Sequence, residues 1–260
     1  MSSTPQDRSA RQAKISAAAP KESKVKLILG VIIAVVAIAG IGAAVWFATQ
    51  NQAEDTDVVP TAALGPRDGI MLNATDPGEG VPRVDVYEDF QCIWCFRFHE
   101  ILGTELNRMA TDGEAKVVLH LKSFLDRGEA DGNSLRSANA AACTADAGPE
   151  QFARMHDLVM NSHETAMQAG GWTDEEFGQF ADQAGVTGEA RTAFDQCVAD
   201  RKYADYLKGV DEQSASDGVT GTPAYRINGE DFDLGQVLDQ QTGATNPAAF
   251  TEAVQAAGQG

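Results

Sequence analysis

The sequence predicts an α/β fold with a helical insertion, preceded by one transmembrane helix. Three observations lead to this prediction: an uncharged stretch at residues 27–48, a Cys-x-x-Cys motif at residues 92–95, and a long block of helical periodicity at residues 131–216. Two strand-like runs precede that block and a hairpin signal follows it. The strands are therefore expected to form one sheet, and the helical block is expected to be inserted between them.

Residues 27–48 are predicted to form the transmembrane helix. The stretch is 22 residues long and uncharged, and as a helix it spans about 33 Å, enough to cross a bilayer. Residues 1–26 carry a net charge of +4. The positive-inside bias therefore predicts a single-pass protein of the cell membrane, with residues 1–26 in the cytoplasm and everything after residue 48 outside. A cleaved signal peptide is the alternative, but its apolar core is usually only about 7–15 residues long.

The remainder of the chain is strongly acidic. The whole protein has a formal net charge of −18, so the part that follows the first 26 residues carries −22. A surface of this sign repels the phosphates of DNA and RNA, and we expect no nucleic-acid partner.

Residues 49–80 are predicted to be a linker that contains a lead-in strand at 70–72, and residues 81–260 to be the folded domain. The insertion shows four apolar helical faces, and residues 173–176 form a capping box at the start of the third. The elements of the domain are predicted in this order: a strand at about 82–88, a helix at about 93–110, a strand at 115–125, a helical insertion at about 127–218, a hairpin at 224–234 that turns at Asn228-Gly229, and a helix at about 246–257.

Cys92-Ile93-Trp94-Cys95 is the motif that indicates chemistry. It follows an apolar strand and opens a helix, so that the two sulfurs lie one turn apart at a helix N-terminus. Backbone N–H groups and the helix dipole favour a thiolate there, and the thiolate is the form that attacks disulfides. A structural disulfide is the alternative, but closing so short a loop contributes only about 2 kcal/mol. We therefore predict a redox pair.

Cys143 and Cys197 are the other two cysteines. All four cysteines follow the predicted membrane segment, in a compartment where disulfides persist. Of the three possible pairings, the adjacency of Cys92 and Cys95 favours 92–95 with 143–197. A bridge between Cys143 and Cys197 closes a 54-residue loop and contributes up to about 4 kcal/mol, so a structural role is predicted for it.

The segments Asp89-Phe90-Gln91-Cys92-Ile93-Trp94-Cys95 and Gly221-Thr222-Pro223, in this order of elements, resemble the DsbA-type branch of the thioredoxin fold. The chain most resembles the membrane-anchored DsbA-like proteins of actinobacteria, over roughly residues 82–258. The resemblance implies a thioredoxin-like fold in which Cys92 is the exposed nucleophile and Cys95 the buried resolving thiol. It also implies that Pro223 is cis and faces the pair, with the Thr222 backbone placed to bind an extended substrate.

The sequence departs from this family at two places. Ile93 and Trp94 stand between the cysteines, where many relatives have proline or a polar residue such as histidine. Thiolate stabilisation is therefore expected to rest mainly on helix N–H groups. Val86 stands where relatives often have a buried acid that helps proton transfer, and we assign that role to neither Asp85 nor Glu88.

The resemblance implies a thiol:disulfide oxidoreductase that introduces disulfides into unfolded or reduced exported polypeptides. A membrane oxidase of the DsbB or vitamin K epoxide reductase-like type would reoxidise it, and no cofactor or metal is expected. Trp94 and Phe90 are predicted to contact substrate, with plain packing beside the site as the alternative.

Two rival functions stay open. One is a disulfide reductase or isomerase of the same fold. The other is a non-catalytic module that binds peptides or a metal, which is disfavoured because His120, His156 and His163 have no ligand spacing with the cysteines.

Overall fold

The computed structural model describes residues 58–259. The predicted cytoplasmic tail at 1–26, the predicted transmembrane helix at 27–48 and the first part of the predicted linker lie outside these residues. Within residues 58–259, no helix combines the length and the apolar character that crossing a bilayer requires. The topology proposed for the first part of the chain therefore stays a prediction.

A mixed sheet forms the centre of the described domain. Its strands lie side by side in the order β1-β3-β2-β4-β5. They are β1 (Ile70–Met71), β2 (Arg83–Glu88), β3 (Lys116–Leu121), β4 (Ala224–Ile227) and β5 (Glu230–Phe232). β2 and β3 run parallel, with Val86 opposite Leu119, and the other neighbouring pairs are antiparallel. β2 is therefore the central strand, and a three-residue turn at its C-terminal end leads into the Cys-x-x-Cys motif.

α1 (Ile93–Asp112) connects β2 to β3, which is the crossover that two parallel neighbouring strands require. It ends at Gly113, which adopts the left-handed conformation (φ 68°) that glycine tolerates best. α1 and, from the insertion, α7 (Ala204–Ser216) both contact β3. Because helices cover it, β3 is almost continuously apolar instead of alternating in polarity.

The insertion between β3 and β4 is helical, as predicted, and contains two helices beyond the four predicted ones. It consists of α2 (Asn133–Ala145), α3 (Pro149–Asn161), α4 (His163–Ala169), α5 (Asp174–Gln183), α6 (Gly188–Ala199) and α7, and α8 (Ala248–Ala257) ends the domain. The capping box at the start of α5 is confirmed, because Thr173 and Glu176 exchange both hydrogen bonds. The two additional helices are α4 and α7. α4 has only seven residues, too few to show a periodic pattern. α7 buries only a narrow stripe around Tyr206, Leu207 and Val210, which gives a weak apolar pattern.

The strand predicted at 115–125 is shorter in the structure. β3 ends at Leu121, and a 3-10 turn follows at Phe124–Asp126. The backbone N–H of Ser123 donates to Asp211 Oδ2 (3.0 Å), and that of Leu125 donates to Asp89 Oδ2 (3.2 Å). These two backbone N–H groups bond to side-chain carboxylates and not to a neighbouring strand. An apolar sequence pattern does not reveal such bonds.

The predicted hairpin turn is confirmed. Asn228 (φ 50°) and Gly229 (φ 85°) both adopt positive φ, as a type I′ turn requires. The second strand of the hairpin stops at Phe232, two residues earlier than predicted, because the Asp233 side chain accepts the N–H of Gly235 and starts a 3-10 turn.

The described end of the predicted linker packs on the domain. The Thr61 hydroxyl donates to Asp146 Oδ1 (2.9 Å), and the Tyr206 hydroxyl donates to the carbonyl of Asp68 (2.6 Å). The linker prediction at 49–80 is therefore wrong for residues 58–69, which are held by side chains of the insertion.

Candidate active site

The two cysteines of the motif lie where β2 passes into α1. Cys92 stands just before α1, and its carbonyl accepts the N–H of Phe96 (3.1 Å). Cys95 lies in the first turn of the helix and is 2% exposed, whereas Cys92 is only partly buried. Both are free thiols in this structure. A second protein can therefore reach the sulfur of Cys92 but not that of Cys95.

The loop that precedes β4 lies against Cys92. Cys92 Sγ is 3.5 Å from the carbonyl oxygen of Thr222, 130 residues away in the chain. The Thr222–Pro223 peptide bond is cis. β4 pairs antiparallel with β2 and places Ala224 opposite Tyr87, which fixes this loop beside the motif. The structure thus brings together Cys92, Cys95 and Thr222, as the family resemblance implies.

The surroundings of Cys92 favour its thiolate. The pKa of Cys92 is lowered to about 5, first by a hydrogen bond from the Cys95 thiol, and then by the side chain of Thr222 and the backbone N–H groups of Cys95 and Trp94, which together outweigh the effect of burial. The sequence predicts that helix N–H groups provide most of this stabilisation. In the structure the Cys95 thiol contributes more than either of these N–H groups does.

The pKa of Cys95 shifts in the opposite direction. Burial raises it well above its ordinary value, and the neighbouring Cys92 and the charge of Glu88 raise it further. At neutral pH the pair therefore holds one proton, on the buried sulfur, and one negative charge, on the accessible sulfur. Cys92 can therefore act as the nucleophile or as the leaving group, while Cys95 stays protonated.

Glu88 is a buried acid beside the pair, and no role is predicted for it from the sequence. It is the last residue of β2 and is 4% exposed, and its Oε1 lies 2.5 Å from Nε2 of His156 in α3. Val86, two residues earlier, is fully buried. Side chains two residues apart in a strand lie on the same face, so Glu88 lies on the face where relatives often place their acid. This spacing is the signal that could have identified it.

Asp89 ties the active-site turn to the insertion. Its carboxylate accepts hydrogen bonds from the Ser134 hydroxyl (2.5 Å) and from the backbone N–H groups of Gln91 (2.9 Å) and Leu125 (3.2 Å). Burial raises the pKa of Asp89 to about 7 despite these bonds. Asp89 lies just before the motif and thereby positions the turn that carries Cys92.

The surface around the motif is apolar. Trp94 is 42% exposed and Ile93 is 46% exposed, so both side chains are available to another protein. Phe90, in contrast, is 1% exposed and packs against the ring of His156 at a centroid distance of 5.7 Å. The prediction that Phe90 contacts substrate is therefore wrong, because its side chain belongs to the core.

Cys143 and Cys197 form a disulfide that joins α2 to α6. Both residues are buried, and Nδ2 of Asn139 lies 3.7 Å from Cys143 Sγ and 3.4 Å from the carbonyl of Cys197. The bridge lies within the helical insertion and connects two of its helices. These two sulfurs are therefore not available as ligands for a four-cysteine metal site.

Two sets of side chains in residues 58–259 place three possible metal-ligand atoms within 4.8 Å of one another: Asp68, Asp85 and His120, and His99, His156 and Asp157. In the first set, the guanidinium of Arg83 already bonds to Asp68 (2.8 Å) and to Asp85 (2.8 Å). In the second set, the Asp157 carboxylate accepts hydrogen bonds from the amide of Asn107.

The sheet order, the crossover helix α1 and the dithiol at its N-terminus define a thioredoxin-fold protein. A family model described as Thioredoxin matches residues 80–255, and the chain belongs to this family. No curated protein sequence gives a significant match.

Three solved structures that resemble the chain come from actinobacteria. MdbA, a thiol-disulfide oxidoreductase from Corynebacterium diphtheriae, is 25% identical with a TM-score of 0.60, over 71% of this chain and 95% of that one. MdbA from Actinomyces oris is 24% identical with a TM-score of 0.61, over 76% and 92% of the two chains. DsbA from Mycobacterium tuberculosis is 23% identical with a TM-score of 0.58, over 73% and 91%. With the dithiol geometry, these findings identify the chain as a DsbA-like thiol:disulfide oxidoreductase.

Proposed function

We propose that the chain is an extracytoplasmic protein disulfide oxidase, held at the cell membrane by residues 27–48. The observation that carries the proposal is the opposite shift of the two thiol pKa values, down at Cys92 and up at Cys95. A stable Cys92 thiolate favours the reduced enzyme, and the Cys92–Cys95 disulfide is then a good oxidant. The location is supported by the basic residues before the uncharged stretch and the acidic ones after it.

The first step is attack on the oxidised pair. A thiolate of an unfolded, exported polypeptide attacks Cys92 Sγ, which is the accessible sulfur, and forms a mixed disulfide. The Cys92–Cys95 bond breaks, and Cys95 leaves and takes up a proton, because its buried site favours the neutral thiol.

In the second step another thiolate of the same polypeptide attacks its own sulfur in the mixed disulfide. Cys92 leaves as a thiolate, and its low pKa makes it a good leaving group. The polypeptide is oxidised by two electrons and the enzyme is reduced by two. A quinone-linked membrane oxidase of the DsbB or vitamin K epoxide reductase-like type would return those electrons to the membrane.

Substrate binding would use the surface beside Cys92. The Thr222 carbonyl lies 3.5 Å from Cys92 Sγ, where it can accept an N–H from an extended segment of substrate. Exposed Trp94 and Ile93 offer apolar contact without demanding a particular sequence. Such contacts suit an enzyme that must accept many unfolded chains.

The test is oxidation of a reduced two-thiol peptide by the full-length protein and two variants. Cys92→Ser should abolish thiol exchange, and Cys95→Ser should accumulate a mixed disulfide that mass mapping places at Cys92. If Cys95 is instead the thiol that reduced protein exposes to alkylation, the assigned roles are reversed. Net reduction of a disulfide substrate, with no oxidation of the dithiol peptide, would favour the rival reductase or isomerase.

A further inference from the structure

A cluster of polar side chains, most of them buried, lies between α1 and α3, outside the dithiol. It comprises His99 from α1, His156 and Asp157 from α3, and Glu88 at the end of β2. We propose that His99, His156 and Asp157 form a binding site for one Zn²⁺ ion.

The distances suit zinc better than they suit hydrogen bonds. Asp157 Oδ1 lies 3.7 Å from Nε2 of His99 and 3.6 Å from Nδ1 of His156. Both separations are too long for a hydrogen bond. Ligand atoms placed tetrahedrally at 2.0–2.1 Å from zinc are about 3.4 Å apart. All three ligand atoms lie within 4.8 Å of one another, so small ring rotations bring them around one ion.

The residues around the three ligands hold them in orientations that suit metal binding. His156 uses its other nitrogen, Nε2, to bond Glu88 Oε1 (2.5 Å), which leaves Nδ1 available 3.6 Å from Asp157 Oδ1. A carboxylate on the remote nitrogen is the usual support of a histidine that binds zinc. The Asn107 amide in turn bonds both oxygens of Asp157 (3.2 and 3.0 Å).

The space at the cluster fits one small ion. A cavity of about 10 Å³ lies against His99, His156, Asp157 and Gly103, and this volume is about that of one water-sized sphere. Gly103 is required there, since a Cβ at this position would lie 2.8 Å from the His99 ring. The Asp157 side chain is 35% exposed while His99 is 8% exposed, so an ion can enter from the Asp157 side.

Charge also distinguishes this cluster from the set formed by Asp68, Asp85 and His120. In that set the guanidinium of Arg83 already bonds both carboxylates, and it would repel a metal ion. In the proposed site the carboxylates of Glu88 and Asp157 face the ring of His156, which, unlike a guanidinium, can release a proton when it binds a metal. Zn²⁺ would then balance the two carboxylate charges. Two imidazoles and a carboxylate are donors that zinc accepts readily.

The test is zinc binding by the full-length protein in its oxidised form, in which Cys92 and Cys95 are joined and cannot bind the metal. The protein is dialysed against Zn²⁺, metal per chain is measured by mass spectrometry, and affinity by competition with a chelating dye. Asp157→Asn removes a ligand at the exposed side of the cluster. Asp68→Asn makes the same change in the set that contains Arg83 and is the matched control. His99→Phe removes the second ligand but keeps an aromatic ring in its place. It tests the site independently if Asp157→Asn does not fold.

We expect one zinc per chain in the wild-type protein and in Asp68→Asn. In Asp157→Asn and His99→Phe, the affinity should fall by more than the roughly 10- to 100-fold that losing a supporting partner costs. The melting temperature should rise with zinc concentration only in the proteins that bind it. The proposal is overturned if the wild-type protein binds less than stoichiometric zinc, or if both ligand variants bind zinc as tightly as the control. The cluster would then be a buried ion network that ties α1 to α3.

Discussion

Removing the Cys95 sulfur should change the acidity of Cys92 by a measurable amount. The hydrogen bond from the Cys95 thiol is the largest contribution to the low pKa of Cys92, which is about 5. A hydrogen bond to a charged group contributes about 1.5–3 kcal/mol, and one pKa unit corresponds to about 1.4 kcal/mol. Cys95→Ala should therefore raise the pKa of Cys92 by about 1–2 units.

Cys95→Ser is the matched control for this substitution. Its hydroxyl still donates to the Cys92 sulfur, so the pKa of Cys92 should stay closer to that of the wild-type protein than in Cys95→Ala. The remaining stabilisation, from Thr222 and the N–H groups of Trp94 and residue 95, is common to all three proteins.

The assay is the rate of alkylation of Cys92 by iodoacetamide as a function of pH, with the modified residue located by mass mapping. Because only the thiolate reacts, the midpoint of the profile is the pKa. Equal midpoints in the wild-type protein and Cys95→Ala would refute the assignment of this hydrogen bond. A wild-type midpoint near the ordinary value of 9.0 would refute the whole account of the thiolate.

Four further outcomes are expected. The pKa of Cys92 is lower in the folded than in the unfolded protein, so ionisation of this thiol stabilises the reduced protein. This contribution is complete above about pH 9, shrinks as the pH falls and vanishes near pH 5. Urea titrations of the reduced protein at a series of pH values should show this change in unfolding free energy. The double variant Cys143→Ala/Cys197→Ala should lose up to about 4 kcal/mol of unfolding free energy but keep its turnover; lost turnover in a folded domain would make this disulfide a relay. Trp94→Ala should raise KM for unfolded protein substrates and leave the reduction potential unchanged, and an unchanged KM would remove Trp94 from the substrate surface. Phe90→Ala should lower the unfolding free energy by about 3–5 kcal/mol, as loss of a core aromatic does, whereas a loss below 1 kcal/mol would contradict its burial.

The order of elements near the motif follows from local signals. Apolar residues at helical spacing predict α1, and Asn228-Gly229 predicts the hairpin turn, because each depends only on residues close in the chain. The end of β3 depends on Asp89 and Asp211, which come from distant parts of the chain. For that reason the pattern predicted a strand that is too long.

The candidate site likewise contains residues that local sequence signals identify and residues that they do not. Cys92 and Cys95 are recognisable from their spacing, and the proximity of Thr222 to Cys92 was expected only from the family resemblance. No role was predicted for Glu88, because its partner, His156, is 68 residues away in the sequence. The two side chains meet only when α3 packs against the rest of the domain. The sequence predicts Phe90 as a substrate contact, whereas its ring is buried, because hydrophobicity alone does not say which side of a turn an aromatic ring occupies.

The reduction potential of the Cys92–Cys95 pair tests the central claim most directly. A pKa of about 5 in place of the ordinary 9.0 stabilises the reduced form at pH 7 by up to about 2.7 kcal/mol, or about 60 mV, with solvent screening at the partly exposed sulfur reducing this figure. The full-length protein is equilibrated in glutathione buffers, and the two thiols are alkylated and mapped by mass. The account predicts a potential near the strong-oxidant end, about −120 mV. A value near about −270 mV would contradict it and would make the protein a reductase.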